Sequence, residues 1–102
     1  MIHAVLWTED GKRITGFALN GHAGYARSGR DIVCAAASVL ATTCVNSLES
    51  VCGIQPTVAG GEDGCLKVTL PPAMTEQQRH DAQVILSALR QGLRIAFISP
   101  WA

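Results

Sequence analysis

The sequence predicts an α/β protein of the α+β type: a single two-layer domain in the order ββαββα, two long helices packed on one mixed or antiparallel sheet. Three observations predict it. A pair of β-forming stretches precedes each of two long helix-patterned stretches, a turn signal lies inside each pair, and no linker or low-complexity tract divides the halves. At 102 residues the chain is sized for one domain, 1–102, whose core buries roughly two thirds of the unfolded surface. The halves repeat the order of elements without sharing a sequence period, so duplication is not inferred.

Residues 2–8, IHAVLWT, are rich in β-formers, Glu9, Asp10 and Gly11 read as a turn, and residues 13–20, RITGFALN, read as the second strand of a hairpin. Asp31 then reads as the N-cap of a long helix. Ile32, Val33, Ala35, Ala36, Ala37, Val39, Leu40 and Ala41 leave its first turns little polar face, which predicts burial on more than one side. Its later half turns amphipathic, with Val45, Leu48 and Val51 inward and Asn46, Ser47 and Glu49 outward, until Gly53 stops it. Residues 54–59 and 65–70, around the turn 60–64, predict a second hairpin in which Pro56 fits an edge or a strand start, and Pro71 and Pro72 end it. Thr75 and Gln78 have capping-box spacing. Ala82, Ile85, Leu86, Leu89, Leu93 and Ala96 form one stripe of an amphipathic second helix.

Eight basic and eight acidic residues cancel, so the chain lacks the broad positive field that phosphate backbones require, and no stable nucleic-acid binding is expected. Arg27 and Arg30 are the nearest approach to a basic patch and read as solvated loop charge. Hydrophobic residues make up 48% against 16% charged, which predicts an apolar surface patch covered in a homodimer. The first residues carry no basic segment leading into an apolar run, and no stretch approaches the roughly 18 apolar residues of a membrane span. A cytoplasmic protein with no membrane contact is expected. The cysteines at 34, 44, 52 and 65 contain no C-x-x-C pair, so free thiols are expected, with no metal site and no cofactor. Cys44, Cys52 and Cys65 read as packing residues, Trp7 as core, and His3 and His80 as structural or solvated.

The segment 21–40 carries the chemistry. His22 opens a loop that Gly21, Gly24 and Gly29 keep supple, and Cys34 follows Asp31 by three positions, in the expected first turn of the helix. Unpaired N–H groups and the positive end of the helix dipole favour an anion there and lower a thiol's pKa, and an imidazole in reach would complete a Cys-His pair. A cysteine and a histidine at this separation are, by residue type alone, more often an inert packed thiol and a solvated ring. The whole string argues otherwise. GHA at 21–23, Tyr25 and Ala26, Gly29, and DIVCAAAS ending at Ser38 resemble the signature of the ribosomal-processing cysteine protease family, Prp. The resemblance is dense over 21–40 and looser over most of the chain, and RIAFISPWA after Leu93 departs from the family's more polar tail.

The resemblance implies a single cysteine protease domain, a small cytoplasmic endopeptidase of bacteria. Its partner would be a large-subunit ribosomal protein, from which it removes a short N-terminal extension. It implies Cys34 as nucleophile and His22 as general base. The thiolate would attack a peptide carbonyl, His22 would hold the thiol proton and return it to the leaving amine, and water would release the acyl group. Backbone N–H groups near Val33 and Cys34 are candidates for stabilising the oxyanion. Asp31 has two candidate roles, cap or orienter of His22, and Ser38, one turn beyond Cys34, is a candidate for steadying thiolate or imidazole. Tyr25 would pack on the substrate or anchor the loop, which is expected to close over an extended peptide laid along a sheet edge. Two other readings stay open at this point: a non-catalytic ribosome-associated binding module, and a thiol redox sensor in which the same activated Cys34 is oxidised.

Overall fold

The two hairpins and two helices form as the sequence pattern predicts in the computed structural model, which describes residues 3–20, 30–60 and 65–98, with side chains for all but 30–34 and 95–98. β1 (His3–Glu9) and β2 (Arg13–Asn20) precede α1 (Arg30–Ser50), and β3 (Thr57–Gly60) and β4 (Cys65–Thr69) precede α2 (Glu76–Ile98). The strands make one sheet in the order β1-β2-β4-β3, every neighbouring pair antiparallel, which decides between the mixed and antiparallel alternatives.

Local chemistry explains the first hairpin. The Glu9 carbonyl accepts the Lys12 N–H at 3.2 Å across Asp10 and Gly11, whose φ values are 57° and 71°. Two successive left-handed residues make a type I′ turn, whose twist matches the flanking strands and which Asp-Gly tolerates. Further along, the register passes from Trp7 opposite Gly16 to Thr8 opposite Ile14, which leaves Thr15 as a bulge. The Thr15 carbonyl accepts the Leu70 N–H at 3.0 Å, and its hydroxyl reaches the Trp7 carbonyl at 3.4 Å.

β4 stops at Thr69, and Pro71 and Pro72 supply no N–H to extend the ladder beside Ile14. Gln83 of α2 takes that place. Its Oε1 accepts the Ile14 N–H at 2.8 Å, and its Nε2 donates to the Ile14 carbonyl at 2.8 Å. A side-chain amide offers the same donor and acceptor as a peptide group, so Gln83 lengthens the sheet by one residue from the helix layer.

The helices cover one sheet face. The core joins Ile14, Phe17, Leu19 and Val68 of the sheet to Ala37, Ala41, Cys44 and Leu48 of α1 and Ala82, Leu86, Leu89 and Leu93 of α2. The α2 stripe is the expected one, with Ile85 packed at its margin. α1 and α2 run antiparallel: Leu40 lies against Gly92, while the Gln78 Nε2 reaches the carbonyls of Cys52 and Gly53 at 3.3 and 3.2 Å. Gln78 also closes the capping box, its N–H on the Thr75 hydroxyl and its Oε1 on the Thr75 N–H, both 3.0 Å.

Gly53, at φ 67°, ends α1 with its N–H on the Glu49 carbonyl at 3.1 Å, and the Ile54 N–H reaches back to the Leu48 carbonyl at 2.9 Å. That cap turns Ile54 into the core and consumes residues 54–56, so β3 starts at Thr57 rather than at 54. Other expectations also change. α1 is buried on one side only: Val39 is 64% exposed, and Ala35, Ser38, Thr42 and Asn46 line an outward face. Val51, expected inward, is exposed because the helix is over at Ser50. Trp7 is not core. Odd positions of β1 point away from the helices, so Trp7 lies on the open sheet face with the Lys67 Nζ 5.2 Å from its ring centre. Cys65, expected to pack inside, is exposed on that same open face because it pairs with Asn20 at the end of its strand.

Candidate active site

Short connections fix one end of the domain. Residues 51–56 join α1 to β3 and residues 70–75 join β4 to α2, and there the Gln78 amide ties the two helices together. α1 is about 30 Å long at about 1.5 Å per residue, so its start lies at the opposite end. Register sends the last residue of β2 the same way: Asn20 pairs with Cys65 and His3, beyond the Gly60–Leu66 pair. β2 thus delivers the chain into residue 21, and α1 picks it up at Arg30, at one end of the molecule.

The helix is under way at Arg30, so Asp31 sits inside its first turn rather than ahead of it as N-cap. A carboxylate in that turn still complements the dipole. Cys34 follows Arg30 by one full turn, and helical spacing gives its N–H to the Arg30 carbonyl. The amides left without a helical partner belong to the residues before it, so an oxyanion donor at this helix end comes from the first turn rather than from Cys34. Ser38, one turn further along, is exposed. Gly21, His22, Gly24, Tyr25 and Gly29, and with them the expected approach of His22 to Cys34, lie outside the described residues.

The other cysteines are not competing nucleophiles of the same kind. Burial, and then the proximity of Cys52, pushes the Cys44 thiol up to about 11, and burial, followed by the charge of Asp81, pushes Cys52 up as well. Both stay protonated at neutral pH. Cys65 is exposed and donates its S–H to the Asn20 Oδ1. Asn20 was not singled out by its sequence pattern. The signal available was its place as the last strand residue before Gly21, where a polar side chain can anchor the chain as it leaves the sheet. Among the described residues no helix is long and apolar enough to cross a membrane, and no cluster of His, Cys, Asp and Glu is built to hold a metal ion.

Four antiparallel strands under two helices, with a cysteine one turn into the first helix, make a small α+β domain, and its family model puts it in the class of cysteine peptidases. The chain belongs to the Prp family: the model of that family, described as cysteine protease Prp, matches residues 1–96. The ribosomal processing cysteine protease Prp of Bacillus subtilis is 30% identical over 90 residues, 87% of this chain and 80% of that one. The crystal structure of an essential ribosomal processing protease Prp from S. aureus with a substrate peptide shares the fold, with TM-score 0.80 and 24% identity over 94% of this chain and 88% of that one. The same protein with a covalently linked product peptide gives 0.75 and 25% identity, over 92% and 86%. The chain is a cysteine peptidase, and with that the non-catalytic reading is set aside.

Proposed function

We propose that the chain, working as one protease domain over 1–102, is an endopeptidase that removes a short N-terminal extension from a bacterial large-subunit ribosomal protein in the cytoplasm. Cys34 is the nucleophile and His22 the general base. The observation that supports the reading is that β2 ends at Asn20 and α1 begins at Arg30 at the same end of the domain, the two residues that flank segment 21–29 in sequence. The covalently linked product peptide of the S. aureus relative supports a covalent route in the family. Asp31 orients His22, Ser38 steadies the pair from the next turn, and Gly21, Gly24, Tyr25 and Gly29 form the loop that receives the peptide. The protein acts as a homodimer, without a nucleic-acid partner, since its charges cancel.

The test is incubation of the wild type, Cys34→Ala and His22→Ala with a peptide spanning the N-terminal extension of the ribosomal protein, followed by mass spectrometry. Cleavage at one bond by the wild type and by neither variant is expected. No cleavage by the wild type, with Cys34 still alkylated quickly at neutral pH, transfers support to the redox-sensor reading.

A further inference from the structure

We propose that Asn20 is a positioning residue for the peptidase reaction: held by the Cys65 thiol, its side chain fixes the point from which the chain leaves the sheet toward His22. The proposal rests on the reading of His22 as general base and names the part of the fold that keeps that base in place. Asn20 acts through His22 and not on the substrate.

Three strands come level at Asn20. It ends β2 and pairs on one side with His3, where β1 begins, and on the other with Cys65, where β4 begins. Residues directly opposite one another in an antiparallel pair carry their side chains on the same face, within reach of each other. The Asn20 amide therefore stands beside the Cys65 thiol, and the S–H donates to Asn20 Oδ1. Among the described residues this is the side-chain hydrogen bond that joins two strands at this end. The amides of Gln78 and Gln83 do their fastening at the opposite end.

A strand end held by few interactions opens more readily than the middle of a sheet. One bond across the last pair then decides how much of the time that pair is closed. His22 follows Asn20 by two residues, so at most about 7 Å of chain lies between their Cα atoms. A misplacement of about 1 Å costs on the order of 100-fold in rate, so the base feels a loosening at Asn20 directly. The helix that carries Cys34 is held separately, through Ala37, Ala41, Cys44 and Leu48 in the core. The Asn20–Cys65 bond thus governs the base and not the nucleophile.

Two measurements test this. The first is steady-state cleavage of the N-terminal-extension peptide by the wild type, Asn20→Ala, Cys65→Ala, the double variant of these two, and Cys65→Ser, whose O–H replaces the S–H as donor. Asn20→Ala and Cys65→Ala are each expected to lower kcat about tenfold with KM within about twofold, the double variant to lose no more than either, and Cys65→Ser to stay within about threefold of the wild type. Losses that multiply in the double variant, a Cys65→Ser as slow as Cys65→Ala, or single variants at the wild-type rate overturn the proposal. Should Asn20→Ala fail to fold, the alanine and serine variants of Cys65 decide. The second measurement needs no substrate: the pH dependence of Cys34 alkylation by iodoacetamide in Cys65→Ser, Cys65→Ala and Cys65→Ser with His22→Ala, none of which has a thiol at 65 to compete. Fast alkylation is expected to begin at higher pH in the last two than in Cys65→Ser, because the imidazole no longer favours the thiolate. A profile unmoved by His22→Ala overturns the reading of His22, and this proposal with it. A profile moved by His22→Ala but not by Cys65→Ala overturns the positioning role alone.

Discussion

Gln83→Ala strips from Ile14 one hydrogen bond to its N–H and one from its carbonyl, each 2.8 Å long. Ile14 is 1% exposed, and the end of β4 at Thr69 leaves no strand residue to replace the lost amide. A buried peptide group left unpaired costs about 1–3 kcal/mol, so the two groups together cost about 2–6 kcal/mol. Both bonds are only part-buried, and water entering the vacated space recovers some of this. The expected loss is about 3 kcal/mol, a large share of the 5–15 kcal/mol on the order of which such domains are stable. Gln83→Met keeps the length and apolar stem of the side chain and so separates the hydrogen bonds from the packing. Gln83→Glu keeps an acceptor for the Ile14 N–H but sets a carboxylate against the Ile14 carbonyl, and is expected to fall near the alanine variant. Urea unfolding followed by circular dichroism measures the loss, with an unchanged slope on denaturant marking a pure stability effect. A loss below about 0.5 kcal/mol in both the alanine and methionine variants would refute the idea that this side chain completes the sheet.

Gly16→Ala places a Cβ 2.6 Å from the Val68 carbonyl oxygen and 3.2 Å from Trp7 Cε3, and β2 has to part from β4 to admit it. A loss of about 1–3 kcal/mol, read as a lowered Tm, is expected, and an unchanged Tm contradicts it. Cys44 gives stability a ceiling in alkali. The folded protein holds its proton to about pH 11 while the unfolded chain releases it near 9.0, so stability falls as pH rises from 9 toward 11, by at most about 3 kcal/mol. Cys44→Ala lowers stability at pH 7 by opening a small cavity but flattens that alkaline decline, and urea unfolding at both pH values checks the slope. Iodoacetamide at neutral pH is expected to label Cys65 well before Cys44 and Cys52, as peptide mapping will show. Labelling of Cys34 therefore has to be read at the level of the peptide, not of the whole chain.

The fold was legible where a local pattern has a single physical solution. Asp-Gly between two β-rich stretches makes a type I′ hairpin, the spacing of Ala82, Leu86, Leu89 and Leu93 makes one buried face, and Thr75 with Gln78 makes the capping box. Where burial depends on what else is present, the pattern misled. Trp7 is hydrophobic by type, yet the strand's alternation gives the core side to Ala4 and Leu6 and leaves the ring under Lys67. α1 is apolar in sequence but among the described residues has neighbours on one side only, which is why Val39 stands in solvent. The family was legible in the string from Gly21 to Ser38, whose residue types follow the order of the family's signature. Gln83 was not, since a glutamine that fills a gap in a sheet has no hydropathic signature, and Asn20 with Cys65 was not, because their pairing spans two distant strands.

The domain is fastened unequally. At one end Gln78 locks α1 to α2 through two carbonyls, the Gly53 cap folds Ile54 inward, and Gln83 clasps the bulged strand, so opening any one of these disturbs the rest. At the other, among the described residues, the Cys65 thiol on Asn20 is the side-chain bond between strands. Local unfolding starts where the fewest interactions must break together, and hydrogen exchange follows the same gradient. Backbone amides of Ile14 and Ile54 should therefore exchange only on global unfolding, while those near Asn20 and Cys65 exchange through smaller openings. Among the described residues the side-chain fastenings gather at the end opposite the start of α1, and the strand ends at Asn20 and Cys65 open at lower cost.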